Sequence, residues 1–215
     1  MRDDPDDAAG AGPDDVAARI AQRTLAARGA EYAGEVRRLL DAGLTVMDRC
    51  GTGARPRVAD IVAEAGLSND AFYRHFPSKD ALVAAILDDG ADRLGRYLGH
   101  RMAKADGPEA QVRQWVAGVL AQADPAIAAT TRAVLWNGGG ATGQAAGRHP
   151  ASEALAALLV APFDALGSPD PAGQATLAAH AALGRLADLL WAEAAPTRAE
   201  EDALVAFLLA AIRRS

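Results

Sequence analysis

Apolar positions along this chain recur three and four residues apart, and no segment alternates with period two for long enough to make a strand. Val36, Leu39, Leu40, Leu44 and Met47 fall at i, i+3, i+4, i+8 and i+11, which predicts a helix over 35–49 with that face toward a core. Upstream, Val16, Ile20 and Leu25 predict a shorter helix over 14–28, with Asp14 as its cap and Gly29 and Gly34 interrupting the stretch after it. Downstream, residues 57–65 and 68–75 read as two short helices, and 79–105 as a long one whose first half is apolar through Leu82, Val83, Ile86 and Leu87.

Proline and glycine punctuate the remainder. Pro108 opens a helix to 123, and Asp124-Pro125 caps and opens another that ends near Trp136. Asn137-Gly138-Gly139-Gly140 breaks it, and 141–148 reads as a small-residue loop. Pro150 opens a helix to 165, Asp170-Pro171 the longest late helix to about 193, and Thr197-Arg198-Ala199-Glu200 fits a capping box for a last helix to 213. The expected fold is all-α. Its expected organisation is an acidic tail over 1–13 without structure, an N-terminal extension over 14–34, a three-helix helix-turn-helix head over 35–80 and a helical body over 81–215.

Chemistry concentrates in residues 58–79, VADIVAEAGLSNDAFYRHFPSK. Gly66 stands where one helix must stop and turn, a place for the left-handed backbone that a residue without Cβ enters cheaply. Ser68 can cap the next helix by accepting a hydrogen bond from an N–H one turn in. Ile61, Ala65, Leu67, Phe72 and Phe76 are spaced to bury a shared seam, which leaves Asn69, Tyr73, Arg74 and His75 pointing elsewhere. That outward face suits phosphates and base edges. Asn69 can bond adenine N6 and N7, Arg74 a guanine or a phosphate, Ala71 a thymine methyl, and Asp70 cytosine N4. Lys79, at a helix start, and Arg57, at the start of the preceding helix, suit phosphates, with Arg55 assisting from the loop.

The same residues resemble the DNA-binding head of the TetR (tetracycline-repressor-like) regulators. The pattern runs through Leu39-Leu40-Asp41-Ala42-Gly43, then Asp60-Ile61-Val62, then Ala65-Gly66-Leu67-Ser68 continuing through Tyr73-Arg74-His75-Phe76 to Ser78-Lys79-Asp80-Ala81-Leu82. Matching positions extend over about 35–89; beyond them only the architecture is similar. The resemblance implies a DNA-contacting set of Arg57, Ser68, Asn69, Asp70, Ala71, Tyr73, Arg74, His75 and Lys79. Asn69, Asp70 and Ala71 stand where the family often has a basic residue, Gly and Thr, and these departures bear on which DNA sequence is read.

Net charge is −6, an odd balance for a DNA binder until its distribution is considered. Asp3, Asp4, Asp6, Asp7, Asp14 and Asp15 load the N-terminus, whereas Arg37, Arg38, Arg49, Arg55, Arg57, Arg74 and Lys79 lie in the head. Acids are interleaved there, so affinity for DNA is expected to rely on a dimer. Cys50 is the lone cysteine, which excludes an internal disulfide framework and suits a reducing, cytoplasmic setting. No apolar run marks a membrane span, and the acidic start is wrong for a signal peptide.

For the body, the resemblance implies a small-molecule effector site and dimerisation through the last two helices. The expected effector-facing residues include Met102, Trp115, Trp136, Phe163 and His180, with Leu98, Val119 and Trp191 as further lining. Ala175, Ala178, Ala179, Ala182 and Gly184 offer a small-residue surface for close helix approach, and Leu204, Phe207, Leu208, Ala211 and Ile212 an apolar stripe. The function expected is a repressor released from a near-palindromic operator by an effector; the alternative is a DNA-binding regulator whose body serves assembly alone. An enzyme is not expected, because no nucleophile–base arrangement, phosphate-binding glycine loop or metal-ligand spacing is visible. No cofactor and no metal are expected. Asp88, Asp89 and Asp92 read as a solvated helix face.

Overall fold

The computed structural model describes residues 13–138 and 150–213. Of the tail expected over 1–13, residues 1–12 lie outside the described residues and Pro13 opens the first helix; the loop expected over 141–148 also lies outside them. The described residues form helices and short connections, without a strand among them. In chain order the helices are α1 (Pro13–Cys50), α2 (Val58–Ala65), α3 (Asn69–His75), α4 (Lys79–Met102), α5 (Pro108–Leu120), α6 (Pro125–Gly138), α7 (Pro150–Ala165), α8 (Pro171–Ala192) and α9 (Arg198–Arg213), with a 3₁₀ turn at Ala121–Ala123. None of the described helices is long and apolar enough to cross a membrane.

The first departure from expectation is α1. It is one continuous helix of 38 residues, with no break at Gly29 or Gly34. A mid-helix glycine costs only roughly 0.5–1 kcal/mol relative to Ala. The alanines at 26, 27, 30 and 33 offset that cost locally. The chain divides into two compact units within this helix, one ending at Arg38 and one beginning at Leu39. In the first, residues 16–34 are all exposed.

In the second unit the buried side of α1 is Leu39, Ala42, Val46 and Met47, while Leu40 and Leu44 are only half-buried. Small residues explain the rotation from the face expected. A Cβ added to Gly43 would stand 2.8 Å from Ile86 Cδ1 and 3.1 Å from Leu82 Cδ2, so α1 and α4 approach closely there. Ile61, Val62 and Ala65 of α2, Ala71 and Phe72 of α3, Phe76 just after it, and Leu82, Val83 and Ile86 of α4 are buried at this end too.

The body core is formed by Leu98 and Met102 of α4, Trp115 and Val119 of α5, Leu155, Leu159 and Phe163 of α7, and the inner faces of α8 and α9. Helices α7 and α8 form the most extensive helix pair. The small-residue surface expected to face a second subunit is in fact this inner face: Ala175, Ala178, Ala179 and Ala182 are buried within the subunit. Short side chains let helix axes approach, and α8 uses them against its own chain. Helix α9 likewise turns Val205, Leu208 and Ile212 inward and leaves Phe207 62% exposed.

The helix ends follow their sequence signals. Asp170 caps α8 by accepting from Gly173 N at 3.0 Å. The box at α9 closes, with Thr197 N and Oγ1 each donating to Glu200 Oε2 at 2.9 Å and Glu200 N donating to Thr197 Oγ1 at 3.3 Å. These bonds, the backbone one foremost, hold the Glu200 carboxyl below its ordinary range.

Candidate nucleic-acid interface

The turn between α2 and α3 determines how α3 is presented. Gly66 adopts φ 63° and ψ 38°, the left-handed region. Its N–H donates to Ala63 O at 3.3 Å, and Leu67 N–H donates to Val62 O at 2.9 Å, the paired closure of a Schellman ending. Two residues on, Ser68 is in extended backbone and its Oγ accepts from Ala71 N at 3.1 Å. A stop and a start are thus compressed into three residues, which fixes the angle between the helices.

Side chains sort across α3 accordingly. Phe72 is fully buried, with its ring 6.0 Å from that of Phe76. Asn69, Asp70, Tyr73 and Arg74 are exposed, and they form two adjacent i, i+4 rows, 69 with 73 and 70 with 74. Tyr73 is 58% exposed, yet its ring meets the edge of Phe72 at 5.2 Å, which steadies a large side chain at the surface. His75 is half-buried. Ala71 is 4% exposed, which corrects its reading as an outward methyl: at this register the position belongs to the seam with Phe72.

Phe76 ends α3, its N–H donating to Phe72 O at 2.8 Å. Pro77 comes next, and Ser78 Oγ accepts from Ala81 N at 3.1 Å to open α4. Lys79 is therefore the first residue of a 24-residue helix, where the unsatisfied N–H groups and the positive end of the dipole reinforce its own charge. It is half-buried.

Arg57 occupies the N-cap position of α2 without capping it. Its Nε donates to Asp60 Oδ2 at 3.1 Å and its Nη2 to Asp60 Oδ1 at 3.4 Å. This hydrogen bonding raises the guanidinium above its ordinary value and holds Asp60 below the usual carboxylate range. The sequence placed both residues but not their pairing; the signal was present in the i, i+3 spacing of opposite charges. Arg49 pairs similarly with Glu64 at 3.2 Å. Polar contacts also tie this end to the rest of the unit: Thr130 of α6 hydrogen-bonds Asp48 at the end of α1, and Arg93 of α4 lies 2.8 Å from Asp89 and 3.9 Å from Asp41.

The residues expected to face an effector fall in two kinds of place. Met102, Trp115 and Phe163 belong to the packed core, and Trp115 Nε1 donates to Leu155 O at 3.0 Å. Trp136 is half exposed on α6, in edge-to-face contact with Trp191 at 6.0 Å. His180 is exposed on α8. In each case helix register, which a lone aromatic or histidine does not reveal, sets the direction of the side chain.

Residues 39–86 match the family model for bacterial regulatory proteins of the tetR family. An HTH-type transcriptional regulator from Mycobacterium tuberculosis is 33% identical over 155 residues, spanning 68% of this chain and 69% of its own. The chain belongs to the TetR family of DNA-binding transcriptional regulators. Solved structures agree in fold. A transcriptional regulator from Pseudomonas aeruginosa superposes with TM-score 0.62 at 24% identity, covering 83% of this chain and 92% of that one. A TetR-family regulator from Mesorhizobium loti gives 0.60 at 15% identity, covering 85% and 95%. The matched segment begins where the second compact unit begins and ends in the buried first half of α4. The family model thus matches the residues that build the turn and its flanking helices, and the relative's match extends well beyond them.

Proposed function

We propose that this TetR-family chain is a repressor that reads a near-palindromic operator with the exposed face of α3 and is released from it by a small-molecule effector. The observation that carries the DNA-reading part is the sorting across α3, with Phe72 buried beneath while Asn69, Tyr73 and Arg74 face solvent. In this reading Asn69 and Arg74 address base edges and Tyr73, Lys79 and Arg57 fix the register on the backbone. Ser68 caps the helix, Asp70 tunes base choice, and His75 supports α3 from its half-buried place.

The chain acts as a homodimer through α8 and α9. Leu177 is 69% exposed and Phe207 62%, on the outer sides of the two last helices. A two-fold pairing of these surfaces would cover both and set two copies of α3 about one duplex turn, roughly 34–36 Å, apart. Effector binding would act by favouring a body arrangement in which that spacing is lost.

A second reading, a regulator with no effector, is compatible with the body: Met102, Trp115 and Phe163 belong to its buried core. Two measurements on the purified chain test these readings. Tyr73→Ala should weaken binding to every duplex while leaving the helical signal intact; unchanged binding would remove α3 from the interface. A metabolite library should contain a compound that raises the melting temperature and releases DNA. A library without any such compound would leave the effector-free reading standing.

A further inference from the structure

Residues 16–30 of α1, ahead of the head, form an exposed stretch whose charges are all positive. From Val16 to Ala30 it carries Arg19, Arg23 and Arg28 and no acid, with Asp14, Asp15 and Glu31 as the nearest flanks. Helical geometry sorts these arginines. Arg23 stands one turn beyond Arg19, about 40° around the axis, whereas Arg28 is about half a turn away from Arg19. Arg37 returns to the azimuth of Arg19 after about five turns, roughly 27 Å along the axis. The surface between them is made of small residues, Ala26, Ala30 and Gly34, so a rigid partner could approach the backbone closely.

Apolar character offers no comparable stripe. Val16 and Ile20, 46% and 58% exposed, lie on one side, and Leu25 and Tyr32, 68% and 50% exposed, lie on nearly the opposite one. A helical partner or a membrane surface needs a continuous apolar face. None runs along this segment, and what one face presents is the pair Arg19 and Arg23 beside small residues, with Asp15 one turn before Arg19. Its complement is a polyanion, and the same helix continues without a break into a head that belongs to a DNA-binding family.

We propose that the N-terminal half of α1 is a second DNA contact, with Arg19 and Arg23 engaging duplex phosphates in addition to those held by the head. The inference rests on the DNA-binding reading and extends it. The interaction is electrostatic and blind to base sequence, and it offsets the acids interleaved through the head.

The test is the salt dependence of binding, measured by fluorescence anisotropy on a mixed-sequence duplex of about 40 bp, for the full chain, Arg19→Ala/Arg23→Ala, Arg28→Ala and Arg19→Lys/Arg23→Lys. Alanine keeps the helix, and circular dichroism checks that it does. The slope of log K against log salt should flatten by about 0.9 for each phosphate no longer engaged, hence by about 1.8 per subunit and about 3.6 per dimer in the double-alanine variant. The double-lysine variant, which keeps the charges, should stay near the parent, and Arg28→Ala should move the slope little. A double-alanine slope equal to the parent's would overturn the proposal, and so would an equal loss per arginine from Arg28→Ala, which would mean a diffuse field in place of one face. A parent chain that binds no duplex at low salt would instead remove the DNA-binding reading itself, and this inference with it.

Discussion

Gly66→Ala isolates the turn that presents α3, because the added methyl meets nothing. No heavy atom lies within 4 Å of the Cβ position, so the cost is backbone alone. Holding an L-residue at φ 63° costs roughly 1–2 kcal/mol. Against this, alanine restricts the unfolded chain and returns about 0.4–1 kcal/mol. The net expectation is a loss of about 1 kcal/mol, which for a chain of this size lowers Tm by about 2–4 °C. Both hydrogen bonds of the turn are made by backbone atoms and survive the change. DNA affinity measured well below Tm should therefore stay close to the parent's. Asparagine tolerates the left-handed region, so Gly66→Asn should lose less than Gly66→Ala. Urea unfolding is the assay, with an unchanged m-value as the sign that only stability moved. Full parental stability in Gly66→Ala would mean that the chain does not need the left-handed turn. A loss above about 3 kcal/mol would mean that the glycine does more than turn the backbone.

Two glycines should respond to alanine with opposite signs. At Gly118 the new Cβ would overlap Leu98 Cδ2 in the body core, so Gly118→Ala should cost about 1–3 kcal/mol by overpacking, whereas Gly29→Ala, in open space, should gain about 0.5–1 kcal/mol; urea unfolding of the two variants separates them. The capping box gives a pH dependence. Because the folded-state pKa of Glu200 is held below its unfolded value, its stabilisation is fully present above the unfolded pKa and lost as pH falls through the folded one; Glu200→Gln should flatten the acid limb of Tm against pH relative to the parent, and parallel limbs would show that the ionised Glu200 carboxylate adds no stability.

Much of this fold was legible because its punctuation is local. Gly66, Ser68, Asp170 and Thr197-Glu200 act through atoms within a turn of themselves, so reading the sequence and observing the structure coincide at each. The TetR-type pattern was legible for the same reason, since the seam of Ile61, Ala65 and Phe72 is set by spacing. The features that escaped depend on neighbours far along the chain. Gly29 and Gly34 looked like breaks, but nothing breaks a helix at a glycine unless another structure competes for those residues. Ala175, Ala178, Ala179 and Ala182 offer close approach to any helix, and composition cannot tell α7 of the same chain from a second subunit. His180, Trp136 and Trp191 stood out in the sequence because of their rarity, a property unrelated to the direction in which α6 and α8 turn them.

Selection from a randomised duplex library by the purified parent chain, repeated with Asn69→Ala, tests the outward face of α3 most directly. The parent should enrich a near-palindrome whose half-sites lie about 10–10.5 bp apart, centre to centre, or a multiple of that. Asn69→Ala should relax one position in each half by about 1–3 kcal/mol and leave the others unchanged. No enrichment over the starting library, or an enriched site that Asn69→Ala leaves untouched at every position along with Tyr73→Ala and Arg74→Ala, would contradict the assignment of α3 as the reading element.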